Sequence, residues 1–335
     1  MATPQPIRRT PDGARIEQLR LMVKVARLYH ERGVLQPEIA RRLHISQARV
    51  SRLLKQAAAE GIVRTTVVVP EGMSTDVEDR LEQLFALREA VVVECLDDSE
   101  SGILRDLGVA TATYLGASLT GGDVVGISSW SATLLAAVDA MRRASRVTAE
   151  RVVQLFGGVG NPMAEAHAAR LTQRFAELTG AQPSFLLAPG IAVSPQAREA
   201  FLEDRFVREA MSALDDVSLA LVGIGALEPS SLLQRSGNIF AAEELAALGE
   251  RGAVGDICLR FFDADGAPVS SSLDERVIGI SAEQLRRVTR CVGVAGGARK
   301  YEAILGALRG GWINVLVTDR DTANRLITEA PRQDG

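Results

Sequence analysis

The sequence predicts an α/β protein in two parts. An N-terminal three-helix, winged-helix-like helix-turn-helix unit precedes a larger Rossmann-like α/β domain with a mostly parallel sheet. Three observations carry this expectation. Residues 36–61, QPEIARRLHISQARVSRLLKQAAAEG, show two short amphipathic patterns joined by a tight turn. From residue 90 onward, short β-branched runs alternate with helical stretches, the signature of a parallel sheet flanked by helices. Charge is also segregated: 12 Arg and Lys stand against 5 Asp and Glu up to Ile62, a balance of +7, and the remainder carries −11 of the net −4. Such asymmetry suits a polyanion partner for the N-terminal part and an acidic remainder.

Residues 1–15 are polar, carry Pro4, Pro6 and Pro11, and read as a disordered lead-in. The helix-turn-helix unit is placed at 16–66. Its first helix, 16–32, repeats apolar Leu19, Met22, Val23, Val25, Ala26 and Tyr29 and stops at Gly33. Ile39, Ala40, Leu43 and Ile45 mark the second helix and Val50, Leu53, Leu54 and Ala57 the third. Pro37 suits a first helical turn, and His44 tolerates the positive φ that the tight turn needs. Ser46 is a good N-cap, and the inward set leaves Gln47, Arg49, Ser51, Arg52 and Lys55 toward solvent. Arg and Lys meet guanine or phosphate, Gln meets adenine, and Ser meets either. Ser46, Gln47, Arg49, Ser51, Arg52 and Lys55 are therefore the DNA-contact candidates. A helical hairpin with a solvated basic face is the competing reading. Residues 62–69, rich in β-branched side chains and stopped by Pro70, fit a wing strand or a linker, with the linker favoured. The stretch 67–89 is assigned to a linker and a docking helix, the helix at 76–88 with Val77, Leu81, Leu84 and Phe85 on one face.

The large domain is placed at 90–331. Strands are expected at 90–94, 123–127, 151–156, 184–187, 217–222, 291–295 and 312–317. Helices are expected at 103–119, 132–144, 164–179, 199–213, 241–248, 282–289, 300–308 and 322–330. Residues 256–262, followed by Asp263, Ala264, Asp265 and Gly266, read as an inserted antiparallel hairpin.

Composition narrows the function classes. With 47% hydrophobic and 24% charged residues the chain is an ordinary cytoplasmic protein, with no apolar run long enough to cross a membrane and no signal peptide. Cys95, Cys258 and Cys291 lack CxxC spacing and read as buried free thiols. His30, His44 and His167 are too scattered for zinc, and the Gly of Asp263-Ala264-Asp265-Gly266 comes too early for a calcium loop, so no metal is expected. GIGALE, from Gly223, lacks the final Gly of a dinucleotide fingerprint, and no cofactor is expected.

In an open α/β sheet, ligands sit beyond the carboxyl ends of the strands, where helix N-termini offer free N–H groups. Gly126, Ser128, Ser129, Ser131 and Thr133 lie in such a strand-to-helix loop, as ligand donors or as simple helix caps. Gly157 and Gly158, with Gly160 and Asn161, form a second loop that allows close backbone approach or merely a tight turn. Gly223 and Gly225 invite the same two readings.

The chain resembles the SorC family of sugar-responsive bacterial transcriptional regulators from about residue 21 to 330. The resemblance is carried by EIARRLHISQARVSRLLKQAAAEGIV, VGISSWSATL, VQLFGGVGNP, LVGIGAL, GDICLRFFDADGAPV, VAGGARK and GALRGGWINVLVTDRDTANRL, in that order. It implies a DNA-binding N-terminal domain, an effector domain similar to sugar-phosphate isomerases, and a homodimer or homotetramer on operator DNA. It further implies that Asp256, in the GDI motif, and Lys300, after AGG, contact a sugar, sugar phosphate or polyol effector. Related chains often carry a Gly-rich loop where this one has Trp130 and a longer Ser-rich form, which leaves room for an unphosphorylated ligand. The rival class is a sugar-phosphate isomerase or aldolase fused to a DNA-binding domain. No Asp-x-His pair marks proton-transfer chemistry, so no catalytic residue is assigned.

Overall fold

Short apolar repeats in the N-terminal part have room only for a minimal helical core, and that is what they build. A computed structural model describes residues 13–63, 74–143, 148–159, 162–228 and 241–329, and contacts divide the chain into Met1–Glu71 and Gly72–Gly335. In the first unit α1 (Gly13–Ala26) continues through a π-helical turn, Arg27–Glu31, and is followed by α2 (Gln36–Leu43) and α3 (Gln47–Ala59). Met22, Val25, Leu28, Ile39, Val50, Leu53 and Ala57 are buried together between the three helices. Helix α2 starts without a side-chain cap, on Pro37, and ends at His44 in the left-handed region (φ 54°). The Ser46 hydroxyl accepts from the Arg49 N–H at 3.2 Å and opens α3. The lead-in to residue 12 and the strand or linker at 64–73 lie outside the described residues.

The second unit opens with α4 (Thr75–Phe85), β1 (Glu89–Val93), α5 (Glu100–Ser118), β2 (Val124–Ile127), α6 (Ala132–Ala140), β3 (Arg151–Gln154), α7 (Pro162–Thr179) and β4 (Gln182–Ser184). It continues through α8 (Pro195–Glu203), α9 (Arg205–Ser212), β5 (Leu219–Gly223), β6 (Gly225–Ala226), α10 (Ala242–Glu250), β7 (Ala253–Ile257) and β8 (Arg260–Asp263). Helix α11 (Ala282–Arg287), β9 (Arg290–Val294), α12 (Tyr301–Arg309), β10 (Val315–Asp319) and α13 (Arg320–Glu329) complete it.

Seven strands form one sheet in the order β1-β10-β9-β5-β2-β3-β4, and every neighbouring pair in it is parallel. Strands β6, β7 and β8 form a separate antiparallel sheet. Alternate residues of a strand face opposite sides, so Leu219 and Leu221 of β5 enter one core and Ala220 and Val222 the other. From β2 the chain steps outward to β3 and β4; from β5 it steps the other way, to β9 and β10. The direction reverses between neighbours β2 and β5, which opens a crevice at their carboxyl ends.

Several expected elements differ in detail, among them the strand expected at 184–187, which lies at Gln182–Ser184, and that expected at 312–317, which lies at Val315–Asp319. The helix expected at 199–213 breaks at Asp204, whose Oδ1 accepts from the Phe206 and Val207 N–H groups (2.8 and 3.1 Å) and starts α9 afresh. The antiparallel hairpin expected at 256–262 forms, with its turn at Cys258–Leu259, where both residues take positive φ (53° and 63°) and fold β7 back on β8. With Ile257 paired to Arg260, this is a two-residue type I′ turn. A second turn follows, with the Gly266 N–H bonded to the Asp263 carbonyl (2.9 Å) and Gly266 at φ 76°.

At the opposite end of the sheet, Asp123 gathers the amino ends of three central strands. Its Oδ1 accepts from Arg290 Nη2 (2.7 Å) and Ser218 Oγ (3.0 Å), and its Oδ2 from the Thr120 N–H and hydroxyl (3.0 and 2.9 Å). Arg290 Nη1 also donates to the Ser118 carbonyl at 2.8 Å, which adds the end of α5. Burial pushes the Asp123 carboxyl up, but the bonds from Arg290, Thr120 and Ser218 outweigh it and hold the pKa below the ordinary carboxylate value. Asp123→Ala leaves Arg290 half-buried without its counter-ion and is expected to cost about 3–5 kcal/mol in chemical denaturation at pH 7. Because the folded-state pKa is depressed, this contribution is present above the ordinary carboxylate range and is lost as pH falls through the lowered value. The gap between wild type and variant should therefore close in acid; a gap independent of pH would refute the assignment.

Candidate functional site

Helix α3 presents its polar face outward. Gln47, Arg49, Arg52 and Lys55 are exposed and Ser51 is half-buried, while Val50, Leu53 and Ala57 hold the opposite face in the core. Ser46 is exposed, but its oxygen is engaged as the helix cap. Arg41 and Arg42, in the last turn of α2, are exposed too and were not singled out in the sequence. The ion pairs of this unit join Arg20 to Glu17 and Arg27 to Glu31; Arg41, Arg42, Arg49, Arg52 and Lys55 have no acidic partner among the described residues. Unpaired cations on a polar helix face are what phosphate contacts require.

In the second unit a cleft of about 290 Å³ opens at the carboxyl ends of β2, β5 and β9. The β2 loop supplies Ser128, Ser131 and Thr133. It is tied back to β5 by the Ser128 N–H, which donates to the Leu221 carbonyl (3.0 Å), and Ser131 Oγ caps α6 by accepting from the Leu134 N–H (3.3 Å). The end of β5 contributes Gly223 and the start of β6 Gly225, where a side chain has no room. A Cβ on Gly223 would stand 2.7 Å from Ser131 Oγ, and one on Gly225 would collide with Asp256 Oδ1.

Asp256 reaches the cleft from β7, and its Oδ2 accepts from the Leu259 N–H at 3.0 Å. The left-handed turn thereby does two jobs: it places Cys258 and Leu259 in the wall and orients the carboxylate. Lys300 closes a short 3₁₀ turn, Ala298–Lys300, after β9. That loop is held by Asp319, at the end of β10. Asp319 does cap α13 through the Thr322 N–H (2.9 Å), but its Oδ2 also accepts from the Gly297 N–H (2.7 Å) and the Thr322 hydroxyl (2.7 Å).

The cleft alters the acids and bases within it. Burial pushes the Asp256 carboxyl up to about 6, against the Leu259 N–H and the Lys300 charge, which pull it down. Burial likewise lowers the Lys300 ammonium, with help from Arg299, while Asp256 and Glu100 restore part of the loss. Arg299 is engaged by Glu100 at 2.7 Å. Burial also raises the thiols of Cys258 and Cys291, the latter to about 12, so both stay protonated; Cys95 is half-buried rather than buried.

Ser128, Ser131, Thr133, Asp256 and Lys300 thus meet in one cleft, with Gly223 and Gly225 in its wall; Gly126, Ser129, Gly157 and Gly158 do not line it. Ser129 is turned into the protein, its hydroxyl without a partner among the described residues. Gly126 is a packing glycine inside β2, where a Cβ would run into the Leu155 side chain. Gly157 and Gly158 are buried, and a Cβ on Gly157 would press on the Ala188 and Pro189 carbonyls. Gly160 and Asn161 lie outside the described residues. Unforeseen lining comes from Phe156, Leu259, Arg299, Asp98 and Glu228. Only tertiary structure brings those five together, since they sit in five separate loops. Among the described residues, no group of three or more His, Cys, Asp or Glu is arranged to hold a metal, and no helix is long and apolar enough to cross a membrane.

Residues 70–328 match the protein-family model described as "Putative sugar-binding domain". Over 313 residues the chain is 35% identical to the deoxyribonucleoside regulator of Bacillus subtilis (strain 168), covering 93% of this chain and 99% of that protein. It is 32% identical over 315 residues to the sorbitol operon regulator of Klebsiella pneumoniae, covering 93% and 98%. The chain belongs to the SorC family. The crystal structure of the full-length sorbitol operon regulator SorC from Klebsiella pneumoniae aligns with a TM-score of 0.70 at 32% identity, over 93% of this chain and 99% of that one. For this SorC-family chain the helix-turn-helix and the cleft therefore fall within a single full-length match.

A raised folded-state carboxyl pKa favours folding in acid and loses that advantage as pH rises through it. Asp256→Asn should accordingly raise the melting temperature at pH 8, and the gain should shrink from about pH 6 downward and vanish below the ordinary carboxylate range. A variant no more stable than wild type at pH 8 would show that Asp256 is not held in a desolvated site.

Proposed function

We propose that the chain is a DNA-binding transcriptional regulator of a carbohydrate or polyol catabolic operon, with operator binding controlled by a sugar, sugar phosphate or polyol held in the cleft. The observation that carries this is the pairing, in one chain, of a recognition helix with unpaired exposed cations and a switch-point cleft that gathers Ser128, Ser131, Thr133, Asp256 and Lys300. Its relatives, named as a deoxyribonucleoside regulator and a sorbitol operon regulator, support the same reading. Arg49, Arg52, Lys55, Gln47, Ser51 and Ser46 serve operator DNA. The ligand acts by binding one quaternary arrangement of a homodimer or homotetramer better than another, and ~1–3 kcal/mol of such coupling shifts operator affinity roughly 5- to 150-fold. The protein works in the cytoplasm, where operator and effector meet.

Arg49→Ala or Arg52→Ala is expected to abolish operator retardation in gel-shift assays while calorimetric sugar binding persists. Retention of both activities would remove α3 from the DNA interface.

A second reading, isomerase or aldolase chemistry on a sugar phosphate, is favoured by one observation: a Lys300 ammonium destabilised beside a carboxyl with a raised pKa. We assign these groups to binding, because the relatives are named as regulators. Product formation in an NMR time course with sugar phosphates would reverse that choice.

A further inference from the structure

The second unit leaves few large apolar side chains in solvent, and most of those lie on one stretch of it. Leu187, Val193, Phe201 and Phe206 are exposed, Val193 by 90% and Phe206 by 68%; elsewhere in the unit only Leu96 and Val109 are, among its described large apolar residues. Phe201 and Phe206 are also the only exposed phenylalanines among the described residues. Apolar side chains gathered in this way mark a docking surface, and aromatic rings are enriched at such surfaces.

These four side chains ride on a small sub-structure with a core of its own. Leu186, Ala188, Ala192, Val207, Ala210 and Ile278 pack together, apart from the two cores of the sheet. Sequence neighbours point opposite ways: Leu186 is buried and Leu187 out, Ala192 buried and Val193 out, Val207 buried and Phe206 out. Phe201 stands in the last turn of α8 and Phe206 in the first of α9, and the Asp204 cap fixes the corner between them. Arg198 Nε donates to the Val277 carbonyl (2.9 Å) and the Ile278 N–H to the Gly190 carbonyl (3.0 Å), which anchors the sub-structure to the rest of the unit. A surface held in place before it docks loses little freedom on docking.

The charges of α8 and α9 bear on what docks there. Glu199, Glu203, Arg205, Arg208 and Glu209 are all exposed, and Arg205 is paired with Glu209 at 2.9 Å. Glu199 and Glu203 have no cationic partner among the described residues, and Arg208 reaches only the Glu203 carbonyl, at 3.2 Å. Two copies related by a two-fold axis bring one surface against itself, so a face of a single sign repels its copy. A face with unmatched charges of both signs can complement it. Helix α1 of the first unit fails that condition, since its exposed Ile16 and Val23 stand among Arg20, Lys24, Arg27 and Arg42.

We propose that the face of α8 and α9, together with Leu187 and Val193, docks on the same face of a second copy of the chain around a two-fold axis. The inference rests on the quaternary part of the regulator reading and gives that assembly a place in the fold.

The test is sedimentation velocity of the full-length protein over a dilution series, on wild type, Phe206→Glu, Val193→Asp and Leu96→Glu. Wild type should run as a dimer or as a larger even-numbered assembly. Phe206→Glu and Val193→Asp each set two like charges into an apolar contact and should weaken self-association roughly 10-fold or more, or halve a tetramer. Both positions are exposed, and a Glu suits the first turn of α9, so thermal melts by circular dichroism should not fall. Leu96→Glu, at an exposed site outside the face, should assemble as wild type does. A wild type that is monomeric at every concentration overturns the inference. Assembly unaltered in both face variants, or weakened as much by Leu96→Glu, overturns it too. The four apolar side chains are absent from the cleft, so calorimetric titration with D-sorbitol, D-ribose and their phosphate esters reports the effector reading separately. A protein that assembles through this face and binds none of them supports the inference and removes the sugar-effector reading.

Discussion

The ion pair of buried Asp123 and half-buried Arg290 sets one end of β2, β5 and β9 at a common level, and the cleft depends on that registration. Ser218 enters the same group from the start of β5, so three strands from distant parts of the chain share one carboxylate. In a parallel sheet, strands aligned at their amino ends also end together. The loops beyond Ile127, Gly223 and Val294 therefore emerge side by side, although more than 160 residues separate the first from the last. A single polar cluster far from the ligand decides whether Ser131, Gly225 and Lys300 can address the same molecule.

Around the cleft the chain gives up local comfort for position. Gly223 at the end of β5 and Gly225 in β6 stay bare so that Ser131 and the Asp256 carboxylate can lie against their backbones. Burial works against the charges of Asp256 and Lys300, the two groups suited to hold hydroxyls. Asp319 fixes the loop that carries Lys300 by taking N–H and hydroxyl donors from two elements at once. The glycines and the buried charges are unfavourable by themselves, and ligand contacts can offset part of that cost.

What could be read in the sequence was whatever repeats with a short period. The α/β class, the parallel sheet and the helix-turn-helix all follow from apolar spacing, and His44 at φ 54° was legible because a tight turn needs such a residue. The two-residue turn at Cys258–Leu259 was not. A type I′ turn is normally announced by Asn-Gly, and here two apolar residues occupy it, between Ile257 and Arg260. In the site, Ser128, Ser131 and Thr133 were visible as a strand-to-helix loop, whereas Gly126 and Gly157 looked equally available. Their difference lies in the Leu155 side chain and the Ala188 carbonyl that fill the space beside them, which no local pattern reports. Phe156, Glu228 and Arg299 are single residues in separate loops and leave no periodic trace.

The Cys258–Leu259 turn carries a consequence for the history of the chain. Two residues with a Cβ in the left-handed region cost roughly 1–2 kcal/mol each, and Asn-Gly would relieve most of that. Selection for heat tolerance alone would drift toward the relaxed pair, and the Leu259 side chain in the cleft wall would go with it. A lineage that moved to hotter surroundings would have to find its stability elsewhere or accept a different ligand, so this turn is where thermal adaptation and effector choice would come into conflict.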